Sequence, residues 1–139
     1  MLRKRYRLRS SAQIKDLREH GRSWHNHWFV LVKRANDLTE SRFAFSVSRR
    51  VGKAVVRNRI KRVMRECIRR RWDFVASGWD VLLIARLPAR NVSFEQAERA
   101  IADILSQSHL EATGGSLPQM SEAVVGHDPT SKADEMGAQ

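Results

Sequence analysis

The sequence predicts a single α+β domain, and three patterns carry that reading. Arg42–Ser48 alternates apolar and polar side chains with the period of two expected of a strand. Lys53–Arg70 instead repeats its apolar residues at the ~3.6 spacing of a helix. The run Val81–Ala85 is apolar on both faces, as a strand interior to a sheet must be. A chain of 139 residues suits one domain of ~100 to 150 residues and one core.

Taken in order, Ser10-Ser11-Ala12-Gln13 has the form of a capping box, and Ile14 and Leu17 share a face. A first helix is therefore expected over Ser11–His20, stopped by Gly21. Trp24–Lys33, with its aromatic and β-branched centre Trp28–Val32, predicts a strand ended by Asn36-Asp37. Arg42–Ser48 follows as a second strand, with Phe43, Phe45 and Val47 facing a core and Arg42, Ala44, Ser46 and Ser48 on a polar face. The polar stretch Ala35–Ser41 predicts that these two strands pair as an antiparallel hairpin. Gly52 lets the chain turn into the second helix, which ends before Ser77-Gly78. A further strand, Asp80–Arg86, is closed by Pro88. A second capping box, Ser93 to Gln96, opens a last helix with the stripe Phe94, Ala97, Ile101, Ile104 and Leu105, ending near His109.

After Gly114-Gly115 the periodicity is lost, so residues 1–111 are assigned to the folded domain and residues 112–139 to a disordered acidic tail. The tail holds four acids and one lysine. Residues 1–111 therefore carry 25 of the 26 basic and 11 of the 15 acidic side chains, a net of +14 against +11 for the whole chain. Such a surplus predicts a polyanionic partner. A membrane is not that partner, since the longest apolar runs, Trp28–Val32 and Val81–Ala85, are five residues each and a spanning helix needs ~20. Met1–Ser10 is basic but no apolar stretch follows it, which argues against a secretory signal. The single cysteine, Cys67, has no partner for an internal disulfide. It fits a reducing, cytoplasmic setting and a place in the core.

The second helix concentrates the charge. Val56, Ile60, Val63, Met64, Cys67 and Ile68 fall on one arc, while Arg59, Lys61, Arg62, Arg65, Arg69 and Arg70 fill most of the rest, with Arg57 at the border. From Arg49 to Arg71 there are eleven Lys or Arg and one acid, Glu66. A solvated helix face would mix signs, because opposite i,i+4 pairs stabilise and like pairs destabilise by a few tenths of a kcal/mol. Arginine prevails, and its planar fork grips phosphate oxygens in a way the point charge of lysine does not. Nucleic acid is the predicted partner.

With these residues in view, the chain resembles the bacterial ribonuclease P protein component, the basic partner of a catalytic RNA that trims the 5′ end of precursor tRNA. The resemblance rests on the run from Phe45 through Ser48-Arg49-Arg50-Val51-Gly52-Lys53 to Arg57-Asn58-Arg59-Ile60-Lys61-Arg62, on the Leu8 to Gly21 opening and on Asp80–Arg86. It covers roughly residues 3–110 and implies an α-β-β-β-α-β-α order, similar to the second domain of ribosomal protein S5. The basic helix would then join two parallel strands by a left-handed crossover, against the ~98% right-handed rule. The resemblance further implies that Arg49, Arg50, Lys53, Arg57, Asn58, Arg59, Lys61, Arg62, Arg65 and Arg69 contact RNA. It also implies a cleft for the single-stranded 5′ leader between the first helix and the sheet, with Ile14, Leu17, Arg18, Phe43 and Phe45 as its residues. Ile14 stands where the family often has Phe, so this cleft is expected to act by shape and charge rather than by stacking.

No catalytic constellation is evident. Asp16, Glu19, Asp37 and Glu40 are isolated from one another, and neither a phosphate loop nor a nucleophile elbow is present. His25 and His27 have no Cys or nearby carboxylate to complete a metal set, so no metal site and no cofactor of the protein itself is assigned. The resemblance implies Mg²⁺ at the RNA partner instead. Trp24 and Trp28 could either stack bases or pack in the core. A general RNA-binding or ribosome-associated protein is the alternative reading.

Overall fold

In the computed structural model, which describes residues 3–111, Ser10 opens the first helix by accepting a hydrogen bond from the Gln13 amide at 3.2 Å. The expected tail, residues 112–139, lies outside the described residues. Helix α1 spans Ser11–His20 and ends at Gly21, whose φ of −80° is not left-handed. Space rather than backbone freedom selects glycine here. A Cβ would lie 2.6 Å from Val32 Cγ1 and 2.7 Å from the Leu17 carbonyl oxygen.

Where one strand was expected over Trp24–Lys33, the chain forms two, β1 (Arg22–His25) and β2 (Phe29–Ala35). Asn26 divides them. Its Oδ1 accepts from the amides of Trp28 and Phe29, both at 2.9 Å, and the strands pair antiparallel from Arg22↔Lys33 to His25↔Val30. Strand β3 is Arg42–Val47. The second helix, α2, spans Ala54–Arg70, followed by β4 (Trp79–Ala85) and α3 (Phe94–Gln107). At the start of α3 the capping box is complete, with Ser93 and Gln96 each accepting from the other's amide at 3.0 Å.

The expected β2–β3 hairpin does not form. The sheet order is β1-β2-β4-β3, so β4 lies between the two strands, antiparallel to β2 and parallel to β3. Val81, Leu82 and Leu83 are 0%, 1% and 0% exposed, and only an interior position covers both faces of such a strand. Helices α2 and α3 cover one face over Phe29, Leu31, Phe43, Val47, Val81 and Leu83. Leu17 of α1 covers the other, packing with Leu8, Val30, Val32, Ala44 and Leu82. Ala44 is thus buried under α1, so β3 has no polar face over its whole length.

Candidate nucleic-acid interface

Helix α2 is fastened by Ile60, Met64, Cys67 and Ile68, each fully buried; each large aliphatic side chain covered in this way stabilises by ~1.5 to 3 kcal/mol. This fixed stripe orients the opposite side of the helix. Cys67 is a core residue, and burial pushes its thiol up to about 12. The ten residues expected to contact RNA form one continuous tract on α2 and on the 3₁₀ turn Arg49–Val51 that precedes it. Arg49, Arg50, Lys53, Asn58, Arg62 and Arg69 are exposed, and Arg57, Arg59, Lys61 and Arg65 are half-buried. The first turn of α2 has no acid, and its N-cap Lys53 makes no side-chain cap. The positive end of the helix dipole therefore adds to the cationic field rather than being offset.

Several of these side chains are braced. Arg57 Nη1 donates to the Gly52 carbonyl at 3.0 Å, closing the turn into the helix. Arg59 Nη2 reaches the carbonyls of Arg90 and Val92 at 3.3 and 3.5 Å, tying α2 to the segment after β4. The Arg65 guanidinium stands 6.0 Å over the Phe45 ring. Arg69 is held by Glu66 through contacts of 3.0 and 2.6 Å, and Arg70 Nε joins the same carboxylate at 3.3 Å. Chiefly the Arg69 hydrogen bond holds the Glu66 carboxyl down to about 2. Arg69 is thus partly neutralised within the protein and is a weaker phosphate ligand than its neighbours.

The five residues expected at the leader cleft are not brought together. Ile14, half-buried, Leu17, 2% exposed, and Arg18, exposed, lie on α1. Phe43 and Phe45 point from the opposite face of the sheet. Alternation along β3 puts Ala44 under α1, so its neighbours must face α2. Phe43 is fully buried there, 6.2 Å from Phe45 and 5.6 Å from Trp72 between ring centroids. The residue that meets the margin of α1 alongside Ile14 is Ile84, paired with Ser46 of β3. The side on which Ser46 lies follows from the parity of Ala44 and Phe45 along β3.

Trp24 and Trp28 are both half-buried, with Trp24 over Lys33 and Trp28 edge-on to His27 at 4.6 Å. His25 ends β1 and His27 lies in the turn, so they do not share a strand. Among the described residues no three His, Cys, Asp or Glu side chains gather where a metal ion could be held, and no helix is long and apolar enough to cross a membrane.

Comparison with known proteins adds the family. The model of the Ribonuclease P family matches residues 2–109. The ribonuclease P protein component of Roseiflexus castenholzii is 37% identical over 108 residues, covering 77% of this chain and 88% of that protein. The Staphylococcus aureus RNase P protein superposes with a TM-score of 0.72 at 29% identity, over 76% of this chain and 97% of that one. The Thermotoga maritima RNase P protein, solved in complex with 1-(4-fluorophenyl)-2-thiourea, gives 0.68 at 32% identity, over 71% and 96%. A four-stranded sheet between one helix and two, an arginine-rich tract on the second helix with Glu66 as its one acid, and these matches lead to one assignment: the chain belongs to the ribonuclease P protein component family.

Proposed function

We propose that this chain is the protein subunit of a ribonuclease P, binding the catalytic RNA through the α2 tract and receiving the 5′ leader of precursor tRNA beside α1. The observation that carries this reading is the α2 tract itself. Its cations are presented on one side because Ile60, Met64, Cys67 and Ile68 are buried on the other, and Glu66 is the only acid within it. Arg49, Arg50, Lys53, Arg57, Asn58, Arg59, Lys61, Arg62 and Arg65 neutralise phosphates, with Arg69 in a lesser role. The leader runs along the margin formed by Ile14, Arg18, Ser46 and Ile84. This differs from the expected cleft by exchanging Phe43 and Phe45 for Ser46 and Ile84.

In this reading the protein contributes binding and register, and cleavage takes place on the RNA. Magnesium held there would activate the water that attacks the phosphodiester. The work belongs to the cytoplasm, where precursor tRNA is made. Six to ten phosphate contacts to duplex DNA lose ~10³ to 10⁵ in affinity between 50 and 200 mM salt. A steep, somewhat smaller dependence is expected on folded RNA.

The test is reconstitution. The purified chain is added to a bacterial ribonuclease P RNA at low magnesium, and 5′ cleavage of precursor tRNA is followed; stimulation is the expected result. Failure to stimulate, with RNA affinity intact, would favour a general RNA-binding or ribosome-associated role. Cleavage by the nuclease-treated protein alone would transfer the chemistry to the chain.

A further inference from the structure

The segment ahead of α1 does not hang free. The Leu8 amide donates to the Phe43 carbonyl at 2.8 Å, Arg7 forms a parallel bridge with Phe43, and Leu8 is 4% exposed in the layer beneath α1. Just before it the Tyr6 ring lies 4.4 Å from that of Trp72, at the end of α2. Residues 6–8 are thus fixed along the outer edge of β3. Side chains of bridged residues leave the sheet on the same side, so Arg7 projects with Phe43 toward α2.

On α2 the facing groups are Arg65 and, one turn earlier, Arg62. Arg65 is drawn below the ordinary arginine range first by burial and then by the charges of Arg7 and Arg62, in keeping with Arg7 beside Phe43 and Arg65 over Phe45 on the same side of β3. The carboxylate next to Arg65 in sequence, Glu66, is committed to Arg69 and Arg70. Arg65 keeps its place by standing over Phe45. Guanidinium groups brought to the same side of the sheet edge from two separate elements are placed to share one anion.

We propose that Arg7, Arg62 and Arg65 form a phosphate grip on the outer edge of β3, with Phe45 as the platform that positions Arg65. The RNA-binding surface then continues from α2 across the sheet edge to the N-terminal segment. This rests on the RNA-binding reading above and extends it to a residue outside the α2 tract. The ligand is a backbone phosphate of RNA, because guanidinium forks converging from two elements match phosphate oxygens in several orientations. Phe45, which sequence reasoning assigned to the leader, serves a different part of the RNA.

The experiment measures the affinity of the full chain for a transcribed bacterial ribonuclease P RNA across a salt series. Arg7→Gln should weaken binding by about 5- to 30-fold at moderate salt and lower the slope of log affinity against log salt by about one. Phe45→Leu, which keeps an apolar side chain but removes the ring, should weaken binding several-fold, and Phe45→Tyr should restore it. If Phe45→Leu does not fold, Arg7→Gln decides alone. Wild-type affinity and slope in Arg7→Gln, alongside weakened binding by Arg57→Ala/Arg59→Ala, would overturn the grip and leave the α2 interface standing. A wild-type chain with no salt-sensitive complex would overturn both.

Discussion

Lys33 Nζ donates to the Ser108 carbonyl at 2.6 Å, so a buried ammonium on β2 closes the last turn of α3. It lies 3.9 Å from the centre of the Trp79 ring and 5.4 Å from that of Trp24. A cation at the negative end of a helix dipole, between two aromatic faces, is well placed despite being only 8% exposed. Burial nevertheless pushes its pKa down to about 8 from an ordinary 10.5, and the charge of Arg22 adds to this.

The pH dependence follows from that depression. Below about pH 8 folded and unfolded chains both hold the proton, and the desolvation cost is fully present. Between about 8 and 10.5 the unfolded chain binds more protons, so this group makes folding stability rise with pH. Urea denaturation should show wild type gaining roughly 2 to 3 kcal/mol on Lys33→Met between pH 7 and 10.5. Cys67, whose buried thiol acts in the opposite sense above pH 9, is common to both chains and cancels. A difference that stays constant with pH would mean that Lys33 keeps its hydration.

Arg57→Ala with Arg59→Ala should lower the salt slope of RNA binding by about two. Helix periodicity sets Arg59 on the cationic side and Arg57 at its border, both off the core, from which nearly unchanged thermal stability would be expected. The bonds from Arg57 to Gly52 and from Arg59 to Arg90 and Val92 revise that expectation. Each net hydrogen bond contributes ~0.5 to 1.5 kcal/mol, so calorimetry should find a drop of several degrees with the fold retained.

Glu66→Gln should tighten RNA binding a few-fold at low salt, because it releases Arg69 and Arg70 and adds one net positive charge. The same change should flatten the acid limb of stability. A carboxyl held down to about 2 contributes stability that is present above its ordinary 4.5 and is lost as pH falls toward 2. Melting curves from pH 6 to pH 2 would reveal whether the two chains converge.

Gly21→Ala tests the packing of α1 on the sheet. The added methyl meets the Val32 side chain and the Leu17 carbonyl, and overpacking of this kind costs ~1 to 3 kcal/mol. The thermal midpoint should fall, and an unchanged midpoint would show that α1 can lift from β2 without loss.

The Ser10 N-cap, the Ser93–Gln96 capping box, the strand at β3 and the two-sided apolar run of β4 were legible because each is written within ten residues of sequence, although Gln13 does not complete the first box. Pairing was not, since strand neighbours are chosen by long-range burial. Ala35–Ser41 looks like a hairpin turn locally, yet the gain from burying Val81, Leu82 and Leu83 on both faces inserts β4 between the strands that turn connects. The division of β1 from β2 rests on the single amide of Asn26, within a stretch that otherwise reads as continuous strand. At the interface, the α2 tract could be read from periodicity. The separation of Phe43 and Phe45 from Ile14, Leu17 and Arg18 could not, because which face of β3 meets α1 depends on where α1 lands, and that placed Ala44 rather than Phe43 or Phe45 beneath it.

The position of β4 also governs what a partial chain can do. Translation reaches Trp79 only after the arginine helix is complete, and until then β3 has no neighbour on its inner side. A truncation ahead of that residue deletes the middle of the sheet rather than a border, and with it the floor on which the helix rests. An amino-terminal fragment that ends before Trp79 therefore holds the arginine helix without the strand beneath it.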